Sequence, residues 1–171
     1  MNYSNIKYCD IANGTGVRTT LFVSGCRNHC IGCFQPETWD FDYGTPFTDD
    51  TIKEIIENSY QDYVAGLTLL GGDPFEEENQ IELIKLVSEF KEVYPNKNIW
   101  AYTGYLLEDL LEGGKKHIYL TNDLLDYIDV LVDGPFIAEK KNLCLKFRGS
   151  ENQRLIDLKL TLKNNEIILL N

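Results

Sequence analysis

Apolar positions along the chain fall into short runs that alternate with helical stripes. Val17–Ser24 is rich in β-branched residues and predicts a strand that runs into Gly25. Thr48, followed by Asp49 and Asp50, predicts a capped helix to about Tyr60 with Ile52, Ile55, Ile56 and Tyr60 as its stripe. Gly66–Leu70 reads as a short buried strand that stops at Gly71-Gly72-Asp73-Pro74. A long helix is expected from about Glu76 to Tyr94, with Ile81, Ile84, Val87, Phe90 and Tyr94 on one face, backed by Leu83, Leu86 and Val93. Pro95 and Asn96 end it, and Ile99–Tyr102 predicts the next strand. Tyr105–Glu112 reads as a helix halted by Gly113-Gly114, and a short helical piece is expected near Leu124. Ile128–Val132 gives a further strand, ending at Asp133-Gly134-Pro135. Near the end, Leu158, Leu160 and Leu162 alternate with polar residues, and Asn164-Asn165 predicts a turn back through Ile167 and Ile168, a C-terminal hairpin.

Strands that alternate with helices, each strand a short apolar run, imply an α/β fold with a mostly parallel sheet and helices packed outside it. A full eight-unit barrel needs roughly 250 residues. The chain has 171, so the expectation is one domain over residues 1–171 that forms part of such a barrel. Sites in these folds gather at the carboxyl ends of the strands. Four segments fall there: the loop after Ser24, Gly71 to Pro74, Thr103-Gly104, and Asp133 to Pro135.

Composition narrows the functional classes. Sixteen Lys and Arg against 27 Asp and Glu give a formal charge of -11. So acidic a surface repels phosphate backbones and anionic lipid, so neither nucleic acid nor a membrane surface is an expected partner. No apolar run approaches the length of a membrane span, and the first residues lack the apolar core of a secretory signal. The expected location is the cytoplasm. There Cys9, Cys26, Cys30, Cys33 and Cys144 form no disulfide framework, and clustered thiols hold metal.

Cys26, Cys30 and Cys33 have the spacing C-x3-C-x2-C. Three thiolates on one short loop suit three corners of a cubane iron–sulfur cluster and leave one iron open. A structural zinc site needs a fourth protein ligand, which His29 or Cys9 could supply. His29 is expected to face solvent or support the loop rather than to bind metal. An electron-transfer protein would close the fourth corner, and no ligand for it is evident in the sequence.

The cysteine loop after Val23-Ser24-Gly25 resembles the signature of radical S-adenosylmethionine enzymes. Within them the chain is similar to the anaerobic ribonucleoside-triphosphate reductase-activating proteins. The resemblance runs through Asp10 with Asn13-Gly14, Leu21–Cys26, Gly32-Cys33-Phe34, Glu37-Thr38-Trp39, Gly71–Pro74, Ile99–Tyr105, Asp129–Gly134 and Arg148–Gln153, in the family's order over roughly residues 1 to 155. It implies the partial, open β/α barrel of the radical S-adenosylmethionine type. It also implies a [4Fe-4S] cluster on Cys26, Cys30 and Cys33, whose open iron binds S-adenosyl-L-methionine. Reductive cleavage of that cofactor would give a 5′-deoxyadenosyl radical, which takes a hydrogen from a glycine of the large subunit of the reductase. An electron donor such as flavodoxin completes the set of partners that the resemblance implies.

For the cofactor, the resemblance implies backbone contacts at Gly32, Cys33 and Phe34 towards the adenine. It implies an ammonium site at Gly71, Gly72 and Asp73, with lesser contacts at Thr103 and Gly104. Asp133 corresponds to a carboxylate near the cofactor in related activases, against the plain alternative of a turn-capping Asp. The chain has Pro135 where many relatives carry a Lys, so a cationic role there is lost. Arg148 to Gln153 matches a surface that would meet the reductase, with a structural cap as the rival. Lys140, Lys141, Lys146 and Arg148 form a modest basic cluster, and Cys9 and Cys144 read as ordinary thiols. Trp100 and Tyr102 read as core. Two other functions stay open: a small radical enzyme acting on a metabolite, and a non-catalytic zinc-binding interaction domain.

Overall fold

A computed structural model describes residues 1–170, and the strands among them form one seven-stranded sheet. The strands are β1 (Asn2–Asp10), β2 (Val17–Val23), β3 (Thr45–Pro46), β4 (Val64–Gly71), β5 (Asn98–Tyr102), β6 (Val130–Asp133) and β7 (Arg154–Asp157). The helices are α1 (Asp49–Glu57), α2 (Glu77–Val93), α3 (Leu107–Leu110), α4 (Thr121–Tyr127) and α5 (Leu158–Asn164). In space the strands run β3-β1-β2-β4-β5-β6-β7.

The sheet is mixed, which corrects the expectation of a mostly parallel one. β2, β4, β5 and β6 are mutually parallel, whereas β1 pairs antiparallel with β2 and with β3, and β7 pairs antiparallel with β6. It does not close into a barrel, since β3 and β7 stand at opposite edges. For β1 the cause is connection length. Residues 11–16 join β1 to β2, too short a link for the dozen or more residues of a parallel crossover. β1 carries few apolar residues and is half exposed, so periodicity gave no sign of it.

The expected C-terminal hairpin is absent: Leu158–Asn164 is helix α5, and the last strand is Arg154–Asp157, just before it. Leu158, Thr161 and Leu162 stand at i, i+3 and i+4, so the same residues also make a helical face. Leu158 and Thr161 are buried, and Leu162 packs against the core. The Asp157 side chain accepts from the Leu160 N–H at 3.0 Å and caps the helix, and Asn165 ends it in the left-handed region at φ 52°.

Thr48 caps α1 as expected, in a reciprocal capping box with Thr51. The helix ends at Glu57, so Tyr60 lies beyond it and is exposed. In α2 the buried face is Asn79, Gln80, Leu83, Leu86, Val87 and Phe90, rotated from the expected one, and Ile81 and Val93 are exposed. The rotation follows from polar groups in its first turns, which are committed to the site described below.

Successive strand residues point to opposite faces. Leu21, Val23, Leu67, Leu69, Ile99, Ala101 and Leu131 pack with Leu83, Phe90 and Leu124 of the helices in the main core. On the other face Trp100, Val132 and Leu155 form a smaller cluster with Tyr102, Val130 and Phe147. That face also buries Arg18, which donates to Thr68 Oγ1 and to the carbonyls of Thr15, Leu67 and Asn98, with its guanidinium over the Trp100 ring at 5.3 Å. Burial pushes the Arg18 pKa down to about 10. No helix among the described residues is long and apolar enough to cross a membrane.

Candidate iron–sulfur and cofactor site

The carboxyl ends of the parallel strands open on a cavity of about 640 Å³, within the range of ligand pockets. Its wall includes Cys26, Cys30, Cys33 and Phe34 after β2, and Gly71, Gly72 and Asp73 at the end of β4. Thr103 and Gly104 after β5 and Gly134 after β6 also face it. The four segments singled out by their place after strands therefore meet in space.

Backbone hydrogen bonds join these strand ends. Gly72 N donates to Val23 O at 2.7 Å, Asp73 N to Gly25 O at 2.8 Å, and Gly25 N to Thr38 O at 2.8 Å. Gly71 adopts φ +111°, and a Cβ on it would stand 2.5 Å from Val23 O. Glycines at both positions thus let the β4 end lie directly against the start of the cysteine loop.

Asp73 is fully buried, and its carboxylate is the knot of the site. It accepts from Asn28 Nδ2 (2.8 Å), Thr103 Oγ1 (2.9 and 3.1 Å), Gly104 N (2.9 Å) and Phe75 N (3.0 Å). No cation is among these partners. Burial outweighs the four donors and pushes the Asp73 pKa up to about 6.

Asn28 and Glu76 are site residues that motif reasoning passed over. Asn28 Nδ2 also lies 3.7 Å from Cys26 Sγ, so one amide touches a thiol and Asp73 together. Glu76, fully buried, accepts from Arg27 N (2.9 Å), Arg27 Nη1 (2.7 Å), Tyr105 Oη (2.6 Å) and Lys116 Nζ (3.1 Å). Burial alone would raise its carboxyl, but the Tyr105, Arg27 and Lys116 donors hold it below its ordinary value. Asn79 Nδ2 donates to Ser24 O at 3.0 Å and Asp73 O at 2.8 Å, fastening α2 to both loops. The available signal was polar residues in the first turns of a helix, at positions its apolar face should hold.

The thiols differ among themselves. Cys26 is buried, while Cys30 and Cys33 are half-buried. Burial, with the Asp73 charge second, pushes the Cys26 pKa up to about 11, and burial also raises that of Cys30. Metal binding would deprotonate them outright. His29 stacks on Trp39, ring centroids 4.6 Å apart, and does not face the cavity. Cys9 lies on β1 near Tyr63 Oη, likewise off the cavity. Among the described residues no three His, Cys, Asp or Glu side chains close up into a ready chelate for a single metal ion. Three soft thiols on a single loop, at the wall of a cavity with room for a larger group, fit an iron–sulfur cluster with an open corner.

Two expected contacts stand apart. Asp133 is fully buried and does not reach the cavity; it pairs with Arg154 and accepts from Leu107 N at 2.7 Å. Gly32 also lies off the cavity wall, at φ +76° with Phe136 and Ala138 3.6 Å from the place of its missing Cβ. Phe34 is exposed and packs at 5.2 Å on Phe136 at the cavity mouth. Arg148, Gly149 and Gln153 line the cavity too, with Arg148 Nη1 donating to Gln153 O at 2.9 Å.

A family model described as a 4Fe-4S single cluster domain matches residues 12–156. An anaerobic ribonucleoside-triphosphate reductase-activating protein of Enterobacteria phage T4 is 43% identical over 157 residues, 91% of this chain and 93% of its own length. Proteins of the same name from Pasteurella multocida and Escherichia coli K12 are 41% and 39% identical over 155 residues, 90% of this chain and 95% and 96% of theirs. No solved structure matches the chain. Similarity of this degree over nearly the whole length, with a cluster-domain model across the site just described, means that the chain belongs to the family of anaerobic ribonucleoside-triphosphate reductase-activating proteins.

Proposed function

We propose that this chain, as one radical S-adenosylmethionine domain over residues 1–171, activates the anaerobic ribonucleotide reductase by installing a glycyl radical on its large subunit. Cys26, Cys30 and Cys33 would hold a [4Fe-4S] cluster, with S-adenosyl-L-methionine in the same cavity. The observation that carries this reading is the meeting of the three thiols with the ends of β4 and β5 around one cavity of about 640 Å³. When bound, the cluster would supply the electron for reductive cleavage of the cofactor's sulfonium, the chemistry by which a hydrogen atom would be taken from the glycine.

The protein groups bind, orient and shield. Gly71 and Gly72 bring backbone to the cavity wall without side chains, which suits carbonyl contacts to the methionine ammonium. Asp73 belongs to the same wall and brings its negative charge close, while its oxygens are held by Asn28, Thr103, Gly104 and Phe75. Cys33 and Phe34 are the adenine contacts that the geometry favours, and Phe34 with Phe136 narrows the mouth against water. Gly32 supports that loop from outside the cavity, and Asp133 has no direct contact in this reading. A flavodoxin is the electron donor we infer from the family.

The test uses anaerobically reconstituted protein, reduced with dithionite and mixed with S-adenosyl-L-methionine, with and without the reductase. Release of 5′-deoxyadenosine together with a reductase-borne glycyl radical in electron paramagnetic resonance is the expected result. Cleavage without that radical would move the substrate to a metabolite. No cleavage from a chain shown to hold a full cluster would overturn the mechanism, and zinc in place of iron would favour a binding module.

A further inference from the structure

We propose that Asn28 is a positioning residue that sets the reduction potential of the cluster, its side-chain amide bridging the Cys26 sulfur and the Asp73 carboxylate. The inference rests on the cluster reading above. Asn28 Nδ2 lies 2.8 Å from Asp73 Oδ2 and 3.7 Å from Cys26 Sγ. An amide placed between two acceptors must turn its N–H₂ end towards them, because its own oxygen would repel both.

The bridge is built in from the far side as well. A Cβ on Gly104 would stand 2.4 Å from Asn28 Nδ2, so glycine after β5 leaves the amide room that any other residue would take. Gly104 N in turn donates to the same Asp73 oxygen at 2.9 Å, so backbone and amide share one acceptor. Arg27, the adjacent cation, does not compete for either anion, since its guanidinium is committed to Glu76 and Glu78.

With a cluster bound, Cys26 is a thiolate beside a buried carboxylate, and the side-chain amide of Asn28 is the donor shared between them. One-electron reduction adds negative charge to the cluster and its sulfurs. An N–H aimed at a ligand sulfur stabilises the reduced state more than the oxidised one and so raises the potential, whereas a nearby carboxylate lowers it. Asn28 does the first and also damps the second by binding Asp73. Losing the amide removes both effects in the same direction.

The experiment is a redox titration of anaerobically reconstituted holoprotein, followed by the electron paramagnetic resonance of the reduced cluster, with iron and sulfide counted per chain. Asn28→Leu keeps the size and loses the donor; Asn28→Asp adds a carboxylate. Gly104→Ala presses on the amide from β5 without altering the cysteine loop. The expected midpoints fall in the order wild type, Asn28→Leu, Asn28→Asp, with Gly104→Ala also below wild type. Midpoints equal to or above wild type in cluster-loaded Asn28 variants would overturn the proposal. Loss of the cluster from all three variants would overturn it as well, because the amide would then be needed for assembly rather than for potential. A wild-type chain that takes up no cluster is a different failure, which sinks the functional reading and this inference with it.

Discussion

Arg154 Nε lies 2.8 Å from Asp133 Oδ1, and the two residues are direct partners across the antiparallel seam of β6 and β7. Arg154 also reaches Glu108 of α3, and Leu107 N donates to Asp133 at 2.7 Å. Asp133 therefore joins an edge strand, a parallel strand and a helix, and it does so wholly buried. Arg154→Ala leaves that carboxylate with one donor and no cation, and should cost about 3–5 kcal/mol in denaturant unfolding. Asp133→Asn should lower stability less and leave S-adenosyl-L-methionine binding by calorimetry unchanged. An Asp133→Asn protein of full stability that no longer bound the cofactor would return Asp133 to the site.

Asp73 sets a pH dependence of stability with a definite sign. Its folded-state pKa of about 6 stands above the ordinary 3.8, so the native state holds a proton that the unfolded chain has already released. Its contribution is fully present below pH 3.8 and is lost as pH rises through about 6, to the extent of about 3 kcal/mol. Glu76, depressed in the fold, works in the opposite sense and loses its contribution as pH falls below the ordinary carboxylate range. The stability of cluster-free wild type minus that of cluster-free Asp73→Asn, measured from pH 4 to pH 8, should fall as pH rises through about 6 if Asp73 is the source. Parallel curves would show that it is not.

The thiols should differ in reactivity in the cluster-free chain. The thiolate is the nucleophile, and Cys26 is both 8% exposed and pushed from 9.0 up to about 11, so at neutral pH its thiolate fraction is lower by about a hundredfold. Cys9 and Cys144 are exposed. Timed alkylation followed by peptide mass spectrometry should label Cys26 last, and cluster assembly should protect Cys26, Cys30 and Cys33 together. Consistent with that, alanine at any of those three should abolish iron binding, while Cys9→Ala and Cys144→Ala should not. Protection of Cys9 or Cys144 by the cluster would break the ligand assignment.

The parallel centre of the sheet was legible because β2, β4, β5 and β6 are short apolar runs that end at Gly, Thr-Gly or Asp-Gly, a pattern that only buried strands need. The antiparallel strands that flank it were not. β1 is half exposed and largely polar, and β7 has four residues, so neither leaves a periodic trace. Leu158, Leu160 and Leu162 satisfied a strand period and, with Thr161, a helical one; the Asp157 cap before them was the deciding signal. In the site, the cysteine spacing and the place of Gly71 to Asp73 after a buried strand pointed to segments that the structure brings to one cavity. Asn28, Glu76 and Asn79 did not, because a polar residue turned inwards declares its role only through the partners that folding brings to it. Asp133 shows the reverse: a position suggested by resemblance is claimed here by Arg154.

Gly72 offers a test of how closely the cavity wall and the cysteine loop depend on each other. A Cβ there would stand 2.5 Å from Gly25 O and 2.9 Å from Thr38 O, both backbone atoms that cannot swing aside. Relief must come from moving the β4 end away from residues 25 and 38, which breaks the Asp73 N to Gly25 O bond of 2.8 Å and carries Asp73 away from Asn28. Gly72→Ala should therefore cost about 1–3 kcal/mol in the cluster-free chain, as overpacking does. It should cost more in function, since the thiol loop and the β4 end would no longer face one cavity. Thermal melts of the cluster-free variant, set beside iron content and S-adenosyl-L-methionine affinity after reconstitution, separate the two effects. A variant with lowered stability but wild-type iron content and affinity would mean that the loop keeps its geometry without the β4 contact.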